Sequence, residues 1–332
     1  MNVAVVGAGA IGGYLAARLA AAGDEVTVVA RGANLAAIRA HGLRLIGEDG
    51  AEVSAPVRAV ERAAEAGAQD FVLLTVKAHQ VAPIAADIGR LDAPVVTMQN
   101  GIPWWYFHKH GGVFDGRPVR AADPDGTIAR SIDPDRVIGS VVYPAADLIA
   151  PGVVRVVEGN RFSLAEIDGQ ETPRVVALSG ALERAGFRAP VVKDLRGEIW
   201  LKLWGNLSFN PVSALTHATL ADICTFPPTR DLSARMMAEA AEIARKLGVR
   251  MRISIERRIA GAERVGAHKT SMLQDVEHGR PIELDALVGA VVELGEMTLT
   301  PTPTIGAVYA CAALLARRLA ATGGRLSLDD HA

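Results

Sequence analysis

Hydrophobic positions follow two rhythms along the chain. Near the amino terminus they form short unbroken runs, Val3 to Val6 and Val26 to Val29, separated by a helical pattern from Ile11 to Ala22 and a Gly23-Asp24 turn. Such runs predict buried parallel strands, and the order strand, helix, strand predicts a βαβ unit. Further strands are predicted in "DFVLLTVKAHQ" (70–80) and "APVVTMQNG" (93–101). From about residue 137, "RVIGSVVYPAA", "GVVRVVEG" and "RFSLAEID" predict three short strands, a meander closing a first domain. Beyond Pro173 the period becomes helical, with helices predicted near 173–187, 195–225, 229–248, 254–266, 281–297 and 303–320. The chain thus divides into an α/β half at 1–190, an all-α half at 191–325 and a frayed tail at 326–332. A helical domain packed on such an α/β domain is expected to leave a cleft for a small molecule.

The first strand-to-helix turn carries chemistry. Gly7, Ala8, Gly9, Ala10, Ile11 and Gly12 hold the G-x-G-x-x-G spacing between the predicted strand and helix. Gly7 permits the tight turn, Gly9 lets a pyrophosphate approach the backbone, and Gly12 lets helix pack on strand. The helix N-terminus offers free N–H groups to phosphate. This context predicts a Rossmann-type dinucleotide-binding domain. The second strand ends in Ala30-Arg31, where an acid would take the ribose hydroxyl of NAD. Arginine instead suits a 2′-phosphate, so NADP(H) is the expected cofactor. Lys77 and Asn100 fall at the carboxyl ends of two further strands, the edge at which doubly wound sheets bind ligands.

The helix in "EIWLKLWGNLSFNPVSAL" (198–215) is crowded with apolar rings, yet Lys202, Asn206 and Asn210 recur every fourth residue. At about 100° per residue they share one narrow stripe. A lysine reaching toward water beside two structural amides would explain the row. So would a polar stripe facing a ligand, with Pro211 bending or interrupting the helix.

Charge narrows the partners. With 35 basic against 37 acidic residues the net charge is -2, and no basic field calls for nucleic acid or an anionic membrane. Cys224 and Cys311 lie far apart in apolar helical contexts, which predicts buried thiols in a reducing cytoplasm. No signal peptide is read at the amino terminus. The uncharged "PTIGAVYACAALLA" falls short of the roughly 18 residues a bilayer span needs. His108 and His110 form a close pair without a third ligand, so no metal site is expected.

Together, "GAGAIGG", "TVKAHQ", "QNG", "IWLKLWGNLSFNP" and "SMLQDVEHGRPIELDALVG" resemble the ketopantoate reductases (2-dehydropantoate 2-reductases), over most of the chain. The resemblance implies a Rossmann domain with an all-helical domain like the C-terminal one of 6-phosphogluconate dehydrogenase. It implies NADPH-dependent reduction of a 2-oxo acid to a 2-hydroxy acid, ketopantoate to pantoate in pantothenate and coenzyme A biosynthesis. Residue by residue, Lys202 matches the general acid, and Asn206 and Asn210 match substrate-binding asparagines. Ser271 matches a substrate-holding serine and Glu283 an acid near cofactor and lysine. Lys77, Asn100 and Ala145 match cofactor contacts, with Asn100 also near the substrate.

Two departures leave alternatives open. Leu220 stands where some relatives carry a further substrate-binding asparagine. An insertion near 104–136 places Trp104, Trp105, Tyr106 and Phe107 just past a strand end, as structural anchors or as a substrate lid. A different, bulkier 2-oxo acid, or a non-catalytic NADP(H)-sensing protein, are the competing readings. A homodimer through the exposed face of the C-terminal helices is compatible with the sequence.

Overall fold

The computed structural model describes residues 1–325; the tail expected at 326–332 lies outside the described residues. The chain divides into two compact units. One comprises residues 1–100, 104–118 and 123–195, the other 101–103, 119–122 and the chain from Arg196 onward.

In the first unit the strands are β1 (Asn2–Val6), β2 (Glu25–Val29), β3 (Leu43–Ile46), β4 (Glu52–Ala55), β5 (Arg58–Val60), β6 (Phe71–Leu74), β7 (Val95–Thr97), β8 (Val137–Val142), β9 (Ala145–Ala150), β10 (Val153–Glu158) and β11 (Phe162–Glu166). Its helices are α1 (Ala10–Ala21), α2 (Gly32–His41), α3 (Ala85–Gly89), α4 (Thr127–Ser131) and α5 (Pro173–Arg184). Seven strands form one sheet in the order β11-β8-β7-β6-β1-β2-β5, parallel except for β11. Its central strands are short buried runs, VAVV, FVLL and VVT, the pattern of strands covered on both faces.

The three strands expected as one meander are split. β8 and β11 pair antiparallel in the main sheet, while β9 and β10 join β3 and β4 in a second sheet of four. That second sheet packs on α1. Gly13 makes this possible, since a Cβ there would meet the Val154 side chain at 2.6 Å. Pairings between strands more than a hundred residues apart leave no local signal in the sequence.

The insertion is anchored from within. Trp104, Trp105, Tyr106 and Phe107 are all buried, and the Trp105 indole donates to Thr97 Oγ1 at 3.0 Å. Gly139 leaves room for that ring and for Leu195. Arg136 closes the segment by donating to the carbonyls of Gly89, Leu91 and Ala93. Rings packed in this way are anchors, not a lid.

The second unit is helical: α6 (Leu195–Thr216), α7 (Leu220–Thr225), α8 (Pro227–Lys246), α9 (Ile255–Val265), α10 (Ser271–Glu277), α11 (Ala290–Met297) and α12 (Pro303–Ala321), with a π-helical turn at Asp285–Gly289 leading into α11. The helix expected over 195–225 is two helices. The break falls at His217, which has φ 57°, and Thr219 caps α7 by accepting from the Asp222 N–H. Pro211 does not interrupt the helix: α6 runs through it to Thr216. α10, not anticipated from periodicity, is capped by Thr270, whose hydroxyl accepts from the Leu273 N–H.

The last helix corrects two expectations. α12 has 19 residues with mean hydropathy 1.3 over an 18-residue window, enough by length and composition alone to cross a membrane. The uncharged run understates it because Arg317 and Arg318 fall only in its last turns. Cys224 is buried as expected, but Cys311 is exposed, on the outward face of α12 with Ala307 and Leu314.

Candidate active site

The first unit lines up its polar residues along one sheet edge. The strands β8, β7, β6, β1 and β2 are consecutive and parallel. Ala145 follows β8, Asn100 follows β7, Lys77 follows β6, the Gly7–Gly12 loop follows β1, and Arg31 follows β2. Five expected cofactor positions therefore sit, in spatial order, beyond the carboxyl ends of five adjacent strands. Ala145 also opens β9 and so belongs to the second sheet as well.

The glycine loop has the shape a pyrophosphate requires. Gly7 has φ 109°, which only glycine adopts without strain. A Cβ at Gly12 would strike the Gly7 carbonyl and sit 2.5 Å from Thr75 Oγ1. A Cβ at Gly9 would meet nothing within 4 Å, so that face of the loop is open. α1 begins at Ala10, directly behind it, with N–H groups unpaired within the helix. The loop and the sheet edge fit a dinucleotide.

Three side chains that the sequence reading missed hold this edge in place. Thr75 donates to the Val6 and Gly7 carbonyls at 3.0 and 2.8 Å. The Gln99 amide donates to the Leu74 and Val76 carbonyls, fastening the ends of β6 and β7. Asn34 donates to the Ala8 carbonyl at 2.5 Å and accepts from the Gly152 N–H at 2.6 Å, bridging the loop to the turn before β10. Their polar type was visible, but their partners lie 23 to 118 residues away. Arg31 is exposed at the start of α2, beside the loop.

The second unit carries the lysine. Trp200, Leu203, Trp204 and Leu207 are buried, and the Trp204 indole donates to the Met237 carbonyl at 2.7 Å. These side chains fix α6, and Lys202 is half-buried among them. Desolvation lowers its pKa from 10.5 to about 8, while the Glu283 carboxylate pulls the other way by favouring the ammonium. Burial outweighs the carboxylate. Asn206 is half-buried and Asn210 is buried on the same stripe. Ser271 is exposed at the first turn of α10, and Glu283 lies two residues before the π-helical turn. Leu220 opens α7, its N–H bonded to the His268 carbonyl.

Among the described residues no cluster of His, Cys, Asp or Glu has the arrangement of a metal site. His108 instead pairs with Asp135 at 3.0 Å, and His110 with the neighbouring Gly111 carbonyl.

Known proteins resemble this chain in both parts. The family model for ketopantoate reductase PanE/ApbA matches residues 3–169, and that for its C-terminal domain matches residues 194–316. A 2-dehydropantoate 2-reductase of Mesorhizobium japonicum is 57% identical over 98% of this chain and 99% of its own. One from Archaeoglobus fulgidus is 29% identical over 89% of this chain and 91% of its own. A solved structure described as a ketopantoate reductase from Ralstonia solanacearum is 41% identical, with TM-score 0.90 over 98% of this chain and 99% of its own. D-mandelate dehydrogenase, solved with NADH and anilino(oxo)acetate, shares the fold at 22% identity and TM-score 0.81, over 96% of this chain and 100% of its own. With both family models matched in order along one chain, this protein belongs to the ketopantoate reductase family, pyridine-nucleotide-dependent oxidoreductases acting on CH–OH groups.

Proposed function

We propose that the protein reduces a 2-oxo acid to the 2-hydroxy acid with NADPH, and that its substrate is 2-dehydropantoate, giving pantoate for pantothenate and coenzyme A synthesis. The observation that carries this reading is Lys202: a desolvated ammonium with pKa about 8, acted on by Glu283, in a chain 57% identical to a 2-dehydropantoate 2-reductase.

When bound, the reduced nicotinamide is the source of hydride for the ketone carbon. The chain's residues then handle the charge that appears on the ketone oxygen. Lys202 Nζ donates its proton to that oxygen and stabilises the developing negative charge before transfer. A pKa near 8 keeps the donor protonated at neutral pH while making the proton easy to release. Glu283 limits how far that pKa falls. Asn206, Asn210 and Ser271 bind carboxylate and hydroxyl groups without adding charge, and Asn100 contributes to both substrate and cofactor. Gly7, Ala8, Gly9, Ala10, Ile11 and Gly12 hold the pyrophosphate; Lys77, Asn100, Ala145 and Glu283 complete the cofactor contacts. In this reading residues 1–190 are the NADP-binding domain and 191–325 the catalytic domain.

Arg31 decides between NADPH and NADH. Two features support NADPH: an exposed guanidinium follows β2, and no acid stands there for a ribose hydroxyl. Arg31→Ala is expected to weaken NADPH binding at least tenfold and leave NADH nearly unchanged, as read by fluorescence titration of both. Equal losses would remove the 2′-phosphate contact.

Leu220 favours a second reading, a bulkier or more apolar 2-oxo acid. The buried Trp104–Phe107 rings give that reading no support. A panel of 2-oxo acids with NADPH separates the two. Ketopantoate should have the highest kcat/KM; a rate no better than that of simple pyruvate homologues would reject it. We assign the protein to the cytoplasm, with no nucleic-acid or membrane partner. We further place a homodimer contact on the C-terminal domain, where Ala307, Cys311 and Leu314 leave one stripe of α12 exposed and largely apolar.

A further inference from the structure

Glu283 stands two residues before Asp285, where the backbone widens into the π-helical turn Asp285–Gly289. The Leu284 carbonyl accepts from both Val288 and Gly289, at 2.8 and 3.3 Å, and the Ala290 N–H reaches back to Asp285. A π turn holds one residue more than an α turn, so it resets the direction of everything preceding it. Glu283 lies two residues ahead of this wide turn, and its carboxylate acts electrostatically on Lys202.

Two groups from outside hold the turn open. Tyr309 on α12 donates its hydroxyl to Asp285 Oδ1 at 2.8 Å. Gly289 makes room for that bond: a Cβ there would lie 3.2 Å from Tyr309 Cε2, 3.3 Å from its hydroxyl and 3.4 Å from Asp285 Oδ1. On the other side, Ile102 donates its N–H to the Ala286 carbonyl at 2.9 Å, and Gly101, with φ 94°, is the only residue type that fits against that carbonyl. The phenol stays a donor throughout the working range, its pKa pushed up to about 12 by burial and by Asp285.

We propose that Tyr309 is a positioning residue for proton transfer: through Asp285 it fixes the π turn that sets Glu283 against Lys202. This rests on the proposed role of Lys202. Two carboxylates of the helical unit, on α6 and α10, pair with arginines. Glu198, one turn earlier on α6, pairs with Arg252 at 3.2 Å, and Asp275 on α10 pairs with Arg280 at 3.1 Å. Arg258 of α9 lies against Gly205, where a Cβ would strike its guanidinium.

The test is the pH dependence of kcat in the full-length enzyme with NADPH and ketopantoate. Activity falls on the basic side as Lys202 loses its proton. Removing the Glu283 charge lowers the lysine pKa, so Glu283→Gln should move that limb to lower pH. Tyr309→Phe should move it the same way by a smaller amount, and Asp285→Ala should reproduce Tyr309→Phe. The double variant Tyr309→Phe/Glu283→Gln should sit where Glu283→Gln alone does, because Tyr309 acts only through that carboxylate. If Glu283→Gln shifts the limb and Tyr309→Phe leaves it on the wild-type curve, the positioning role is wrong and the role of Lys202 stands. A lowered Tm with an unmoved limb rejects the positioning role in the same way. If Lys202→Ala keeps a near-normal rate, the underlying reading fails instead.

Discussion

At the scale of single residues, the proposed role of Lys202 ties rate and stability to one pKa, with opposite signs. Its pKa is about 8 in the folded protein and 10.5 as a free side chain. As pH rises through 8 the ammonium is lost, so kcat should fall on the basic side with a midpoint near that value. Lys202→Ala should lower kcat by at least about a hundredfold, the usual general-acid contribution. Stability runs the other way. Between pH 8 and 10.5 the unfolded chain binds more protons at this site than the folded one, so this group's contribution to stability rises with pH across that window. Below pH 8 the folded protein carries a desolvated charge at full cost. Lys202→Met should therefore raise stability at pH 7 by roughly 1–3 kcal/mol while abolishing activity. Calorimetry on wild type and variant decides it; a lower Tm for the variant would mean the ammonium is better solvated than its surroundings imply. The Lys202, Asn206, Asn210 row was legible from spacing alone, because a helix repeats nearly every fourth residue. Thr75, Gln99, Asn34 and Tyr309 were not, because each acts through a partner distant in the chain.

At the scale of elements, the glycine loop separates folding from binding. Gly12 and Gly9 belong to one motif yet face different surroundings. A Cβ at Gly12 strikes the Gly7 carbonyl, a backbone atom that can move only by distorting the turn. Gly12→Ala should cost about 1–3 kcal/mol of stability, the usual range for overpacking. Gly9 has φ -74°, acceptable to any residue, and open space where its side chain would go. Gly9→Ala should keep the wild-type urea midpoint and lose nucleotide affinity, because the methyl occupies the side a pyrophosphate approaches. Loss of stability without loss of affinity at Gly9 would place the nucleotide elsewhere. The same contrast explains what the sequence could disclose about elements. β1, α1 and β2 were readable because they are neighbours in the chain and β1 pairs directly with β2. The second sheet was hidden because β3 and β10 meet across more than a hundred residues. The interruption expected at Pro211 does not occur, because the buried rings of α6 on either side carry the helix through to Thr216.

At the scale of the molecule, the two units are not two consecutive pieces of chain. The chain leaves the first unit at Gly101, returns at Trp104, leaves again at Val119, within the insertion, and returns at Asp123. The change of hydrophobic period suggested a boundary near 190 and had no means of showing these excursions, which are two short segments of ordinary residues. Each is held in the helical unit by backbone hydrogen bonds. Ile102 is bound at the π-helical turn, while the Arg120 and Ala121 N–H groups donate to the two oxygens of Glu293 on α11, at 2.8 and 2.7 Å. Between the excursions, Trp105, Tyr106 and Phe107 are buried in the first unit. The insertion therefore has one segment, 119–122, held in the helical unit and its aromatic segment held in the first, and the two should release separately. Glu293→Ala removes two charge-assisted bonds and should destabilise the protein by roughly 1–3 kcal/mol, within the range for hydrogen bonds to charged groups. Hydrogen exchange locates the loss. In that variant the Arg120 and Ala121 amides should lose protection, while the Trp105 indole N–H, bonded to Thr97 inside the other core, keeps its own. Unchanged exchange at Arg120 and Ala121 would show that the carboxylate does not hold the segment. Joint loss at Trp105 would show that the insertion opens as one piece.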